Sequence, residues 1–161
     1  EILGTKGFAV PEEGLRRGLE SVSWPGRLEI LRRDPTVVVD GAHNPAALAA
    51  LIVALREEFS YRRLGFVFGV LGDKDYRTMM KGIRSIADWI ILTRPRNERA
   101  LSPDILLPMA RRGRFPARIV ADPREACREA MKEAGPEDLI CVAGSLYLAG
   151  DAYNAFPRKT E

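Results

Sequence analysis

Two cysteines, one histidine and almost no charge imbalance are the scarcest features of this 161-residue chain. Cys127 and Cys141 are too few for a disulfide scaffold and lack the paired spacing of a structural zinc site. Both are expected to pack as small buried apolar residues, in a reducing cytoplasm. The single histidine, His43, excludes any centre built on two or three imidazoles. No apolar run approaches the roughly 18 residues of a membrane-spanning helix, and the first residues lack the basic, then hydrophobic, pattern of a secretion signal. Neither a membrane partner nor export is expected. With 25 Lys and Arg against 22 Asp and Glu, the formal charge is only +3, so no nucleic-acid partner is expected, whereas small anionic ligands are compatible. No acidic cluster outlines a metal site, no Ser-x-Gly elbow marks a hydrolase, and no Gly-Lys-Ser/Thr ending marks a P-loop.

What is present is an alternation of short β-branched or apolar runs with stretches of helical period, the pattern of βαβ units. Strands are expected at residues 27–31, 36–40, 64–70, 89–93, 117–121 and 139–143, and helices at 10–21, 45–59, 76–86, 103–111, 123–134 and 146–156. The four-residue turn at 32–35 is too short for a parallel crossover, so the first strand should pair antiparallel with the second. The expected fold class is therefore α/β: a Rossmann-like, mainly parallel six-stranded sheet with one antiparallel edge strand and helices on both faces. Trp24-Pro25-Gly26 interrupts the helical pattern and places a boundary near residues 22–26. Asn44-Pro45, Ser102-Pro103 and Asp122-Pro123 each put a capping side chain before a proline at the first helical position. These starts follow strands directly, which gathers their loops along the carboxyl edge of the sheet, where ligands bind in open α/β folds.

On that edge the most informative stretch is Val37-Val38-Val39-Asp40-Gly41-Ala42-His43-Asn44-Pro45. Three β-branched residues deliver Asp40 to a strand end, and Gly41 permits an unusual turn. His43 then lies beside a helix N-terminus suited to phosphate or carboxylate. Asp40 either accepts hydrogen bonds from ligand hydroxyls or bonds its own loop. Gly72-Asp73-Lys74-Asp75 is either an anion-contacting turn or a solvated one with a local ion pair. Arg94-Pro95-Arg96-Asn97-Glu98-Arg99 is a basic loop, and Ser145 in Gly144-Ser145-Leu146-Tyr147 is either a ligand contact or simply a helix cap. These residues supply binding chemistry without a complete catalytic engine. A stand-alone nucleotide or anion-binding module is one reading, and a hydrolase using Ser145, His43 and Asp40 is another, conditional on Ser145 reaching His43.

Trp24-Pro25-Gly26-Arg27-Leu28-Glu29, Asp40-Gly41-Ala42-His43-Asn44-Pro45, Gly72-Asp73-Lys74-Asp75 and Gly144-Ser145-Leu146-Tyr147 together resemble the C-terminal domain of folylpolyglutamate synthases, members of the Mur ligase superfamily. The related peptidoglycan ligases carry similar Gly-Arg-x-Glu and Asp-x-x-His elements, so another Mur-type amide ligase is the nearest alternative. The resemblance implies an ADP-forming ligase that adds L-glutamate to a reduced folate through an acyl phosphate, with ATP and Mg²⁺. It implies ATP contacts from Arg27 and Asp40, glutamate contacts from His43 and Ser145, and accessory candidates in Asn44, Asp73 and Lys74. No metal ligand is expected in this chain. The family's P-loop, metal ligands and modified lysine belong to an N-terminal ATPase domain with no counterpart here, and the chain begins at Glu1 without an initiator methionine. The expected organisation is thus a linker or the end of that domain at 1–22, a Mur-ligase-type C-terminal domain at 23–157 and a tail at 158–161. The chain alone is expected to be inactive.

Overall fold

Alternation of apolar side chains along the strands sorts the core into two layers, one on each face of a central sheet. In the computed structural model, which describes residues 5–8, 10–113 and 115–156, the strands are β1 (Glu29–Arg32), β2 (Thr36–Val39), β3 (Leu64–Phe68), β4 (Trp89–Leu92), β5 (Ala117–Ile119) and β6 (Leu139–Ala143). The helices are α1 (Glu12–Glu20), α2 (Pro45–Glu58), α3 (Tyr76–Arg84), α4 (Pro103–Ala110), α5 (Pro123–Glu133) and α6 (Leu146–Ala155). The expected tail at 158–161, residue 157 and the first four residues lie outside the described residues.

The strands form one sheet in the order β1-β2-β6-β3-β4-β5. β1 pairs antiparallel with β2, and every other pairing is parallel. The chain steps outward from β2 to β5, then reverses and inserts β6 between β2 and β3. Right-handed crossovers require opposite steps to place their helices on opposite faces. Val38, Phe66, Phe68, Leu92 and Cys141 accordingly pack with α2, α3 and α4, whereas Val37, Val39, Ile91, Ile140 and Val142 pack with α5 and α6. Burial pushes the Cys127 thiol up to about 12 and the Cys141 thiol well above its ordinary value, so both are packing groups and not reactive ones. α1 buries none of its residues.

Arg27, expected inside the first strand, lies in the turn that precedes it. Gly26 (φ +69°) and Leu28 (φ +45°) both take left-handed backbone, and this curls the chain before β1 begins at Glu29.

At the amino-terminal edge, the buried carboxylate of Asp138 binds β6 to β3. It accepts from Arg63 Nε at 3.0 Å, Arg63 Nη2 at 2.6 Å and the Gly135 N–H at 2.8 Å, with Arg62 Nε at 3.4 Å. Burial pushes this carboxyl up, but the Arg63 hydrogen bonds, the Gly135 N–H and the charges of Arg63 and Arg62 outweigh it and hold it below the usual carboxylate range. Asp138→Ala should cost about 2–3 kcal/mol in urea unfolding, because Arg63, Arg62 and the Gly135 N–H lose a buried acceptor. A group depressed on folding stabilises above its unfolded value of about 3.9 and loses that contribution as pH falls through its folded value. The acid limb of the stability curve should therefore flatten in the Asp138→Asn variant, and an unchanged limb would count against this role.

Candidate functional site

β6 is the strand where the topology opens. Its carboxyl end leads to α6 on one face, while its neighbours β2 and β3 lead to α2 and α3 on the other. Loops that part in this way leave a crevice on each side of the strand. One side holds residues 40–44 and 144–147, and the other holds 69–75.

The first crevice is built around Asp40. Its Oδ2 accepts from the Leu28 N–H at 2.8 Å and its Oδ1 from the Ala42 N–H at 2.7 Å. The carboxylate therefore bonds its own loop and, in addition, the turn that carries Arg27. The Gly41 N–H donates to the Gly26 carbonyl at 2.7 Å, and Arg27 Nη1 donates to the same carbonyl at 3.1 Å. A Cβ on Gly41 would collide with both the Arg27 guanidinium and the Leu146 side chain. The absence of a Cβ at Gly41 lets the guanidinium lie directly over the turn. Arg27 makes no ion pair among the described residues.

His43 donates from Nδ1 to the Gly41 carbonyl at 2.8 Å, because a carbonyl can only accept. Nε2 is left for a ligand, as acceptor when the ring is neutral and donor when it is charged. Asn44 caps α2 by accepting from the Ala47 N–H at 2.8 Å. Ser145 is 2% exposed and its Oγ accepts from the Leu148 N–H at 3.0 Å, capping α6. The Gly144 N–H donates to the Ala42 carbonyl at 2.9 Å, so the two helix starts are held side by side. Ala46, Leu146 and Tyr147 present N–H groups with no acceptor inside their own helices. No hydrogen bond joins Ser145 to His43 among the described residues, which fails the condition set for a hydrolase.

Across β6, Asp73 and Lys74 do not join this group. Asp73 pairs with Lys74 Nζ at 3.0 Å and faces Arg99 Nη1 at 3.8 Å. Its carboxyl is held low by the Lys74 hydrogen bond, with lesser help from its own backbone and the two positive charges. The Gly72 N–H to Arg99 carbonyl bond at 2.8 Å and the Leu101 N–H to Val70 carbonyl bond at 2.9 Å stitch this loop to the basic loop. In that basic loop Arg96 pairs with Asp122 at 2.8 Å and faces Asp151 at 3.5 Å. Arg94 is exposed and makes no ion pair among the described residues. An open cavity of about 380 Å³ lined by Arg84, Asp88, Arg112 and Phe115 lies at the opposite, amino-terminal edge. Among the described residues no three His, Cys, Asp or Glu side chains are grouped to hold a metal ion, and no helix is long and apolar enough to cross a membrane.

Sequence reasoning missed Glu29 and Tyr153. The Glu29 Oε2 accepts from the Gly26 N–H at 2.8 Å and from the Tyr153 hydroxyl. Glu29 falls inside the Trp24–Glu29 motif, which is a signal without a role; Tyr153 carries no sequence signal.

Residues 26–146 match the family profile described as Mur ligase, glutamate ligase domain, and the chain belongs to that family. Within it, the similarity runs to folylpolyglutamate synthases and also to UDP-N-acetylmuramoyl-L-alanyl-D-glutamate–2,6-diaminopimelate ligases, that of Alkalilimnicola ehrlichii being 38% identical over 74% of this chain and 25% of that protein. The chain is 36% identical over 150 residues to a probable bifunctional folylpolyglutamate synthase/dihydropteroate synthase of Halobacterium salinarum, covering 92% of this chain and 18% of that protein. The Mycobacterium tuberculosis folylpolyglutamate synthase complexed with ADP and AMPPCP superposes with a TM-score of 0.86 at 32% identity, over 98% of this chain and 38% of that one. A bifunctional folylpolyglutamate synthase/dihydrofolate synthase from Yersinia pestis with Mn, AMPPNP and L-glutamate bound superposes at 0.84 with 27% identity, over 95% and 36%. The chain thus spans well under half the length of the proteins it matches.

Gly41→Ala should leave the fold cooperative but displace the Arg27 guanidinium. Losing its charge-assisted hydrogen bond to the Gly26 carbonyl should lower the unfolding free energy in urea by no more than about 1.5–3 kcal/mol. A larger loss would show that the alanine disturbs the backbone of the turn and not only the guanidinium.

Proposed function

We propose that this chain is the C-terminal domain of an ADP-forming ligase that adds L-glutamate to a reduced folate, with residues 23–157 forming the domain and 1–22 the connection to an N-terminal ATPase domain of the same protein. The observation that carries this reading is the pairing of two capped helix N-termini, α2 and α6, with Arg27 and His43 Nε2 in one crevice. The nucleotide and glutamate bound by the relatives carry phosphates and carboxylates, and this crevice presents N–H groups and a guanidinium to such anions.

The chemistry follows from the ligands. A folate carboxylate oxygen attacks the γ-phosphorus of ATP, the bond to ADP breaks, and an acyl phosphate forms. The glutamate amine then attacks the acyl carbon and inorganic phosphate leaves with the bonding electrons, while the amine proton passes to solvent or phosphate. Arg27 faces the ATP phosphates. Asp40 sets the Arg27 turn and turns its remaining lone pairs to the ribose hydroxyls. His43 Nε2 and the α2 start face glutamate, and Ser145 orients the free N–H groups of α6 toward the same substrate. Asn44 secures the α2 start, and Asp73 and Lys74 rim the second crevice. ATP carries Mg²⁺, whose protein ligands this reading assigns to the N-terminal ATPase domain. The crevice is a surface and not an enclosed cavity, as suits half of a site completed by domain closure. A cytoplasmic location fits substrates of this kind.

The full-length product of the gene encoding this chain should release ADP in step with glutamate incorporation into a reduced folate; ADP release with no such incorporation would refute the folate assignment. His43→Ala should raise KM for glutamate about tenfold with little change for ATP, and Arg27→Ala the reverse. Equal damage to both parameters would overturn the division of roles. The isolated 161-residue chain should form no amide bond, and ligation by it would contradict a shared site.

A further inference from the structure

Arg27 is the one guanidinium at the crevice without an ion pair among the described residues, yet it sits on a turn made of unfavourable backbone. Gly26 has φ +69° and Leu28 has φ +45°, the second costly for a branched residue. Asp40 and Gly41 hold this turn from the sheet side, through the Leu28 N–H and the Gly26 carbonyl. Those bonds leave the outer side of the turn to something else. It is closed by Glu29, whose Oε2 accepts from both the Gly26 N–H and the Tyr153 hydroxyl of α6. A Cβ on Gly26 would stand 3.8 Å from both the Ala149 Cβ and the Tyr153 oxygen, so α6 lies against the turn itself.

Resting on the assignment of Arg27 to the ATP phosphates, we infer that Glu29 and Tyr153 are positioning residues for the ligase reaction: they clamp the Arg27 turn to α6. α6 is also the helix whose Ser145-capped start faces the glutamate side of the crevice. The clamp therefore makes the placement of the phosphate-facing arginine depend on the seating of the helix that serves the second substrate. Neither residue touches substrate. Each acts through a backbone N–H or a hydroxyl that determines where Gly26, and hence Arg27, can sit.

The chemistry of the acceptor makes the test specific. A glutamine at 29 keeps a carbonyl oxygen with two lone pairs and can accept from both donors, whereas alanine keeps neither bond. In the full-length enzyme, Glu29→Ala should raise KM for ATP about tenfold or more, with KM for glutamate changed less than about twofold. Glu29→Gln should return most of the ATP affinity. Tyr153→Phe, which deletes one oxygen and leaves the packing of α6 intact, should raise KM for ATP about threefold with an unchanged melting temperature, and it decides the matter if Glu29→Ala does not fold. An equal rise in both KM values, or a lowered melting temperature in Tyr153→Phe with unchanged KM for ATP, would show a merely structural pair and overturn the inference. Arg27→Ala is the control that separates the two levels. If it leaves KM for ATP unchanged, the assignment of Arg27 fails and the clamp with it; if it raises KM for ATP while Glu29→Ala and Tyr153→Phe do not, only the clamp fails.

Discussion

A single carboxylate organises the carboxyl edge of this domain. Asp40 spans from the Leu28 N–H to the Ala42 N–H, and so ties together two turns that are 12 residues apart in sequence. Each is a hydrogen bond to an ionised acceptor, worth about 1.5–3 kcal/mol where water is partly excluded. The left-handed backbone of Leu28 costs about 1–2 kcal/mol, which the bond to its N–H offsets, while Glu29 holds Gly26 on the outer side of the turn. Without that bond the turn before β1 would relax, the Gly26 carbonyl would leave the Gly41 N–H, and Arg27 would no longer lie over Gly41. The geometry of this edge is downstream of one acidic side chain at the end of a buried strand. That strand places it rigidly, because Val37, Val38 and Val39 are all fully buried and paired on both sides.

The regular part of the fold is legible in sequence because its determinants are local. Pro45, Pro103 and Pro123 each begin a helix, preceded by Asn44, Ser102 and Asp122 as caps, and all three caps accept from their own helix as the chemistry requires. The antiparallel β1 follows from the shortness of its turn. What is not legible is where Arg27 belongs. Its apolar neighbours Leu28, Ile30 and Leu31 read as a strand from residue 27, but the Asp40 bond to the Leu28 N–H diverts the backbone until Glu29. That bond is a tertiary contact with no periodic signature. The same holds for Tyr153, an aromatic in a helix whose hydroxyl finds Glu29 across 124 positions of sequence.

The two alternatives that the sequence leaves open for Asp40 are not exclusive. A carboxylate has about four lone-pair directions, and two are used by backbone N–H groups. The roles of loop organiser and hydroxyl acceptor can coexist on one side chain, which is why residue type alone could not separate them. Ser145 is similar, with its oxygen spent on the Leu148 N–H and its hydrogen remaining. The hydroxyl caps α6, and what a ligand could meet is the set of neighbouring N–H groups that this cap leaves open.

Charge balance points the same way as hydrogen bonding. A formal charge of +3 is too small to attract a polyanion by itself, and several arginines near the edge have acidic neighbours: Arg96 has Asp122 and Asp151, Arg99 has Asp73, and Arg124 has Asp151. Two acidic groups there are also occupied, Asp40 by two N–H donors and Asp122 by the Glu125 N–H and Arg96. Cancelling these leaves Arg27 and the open N–H groups at the starts of α2 and α6 as the positive features of the crevice. An anion in that crevice would meet these groups, while the loop after β4 keeps Arg94 exposed and without an ion pair among the described residues.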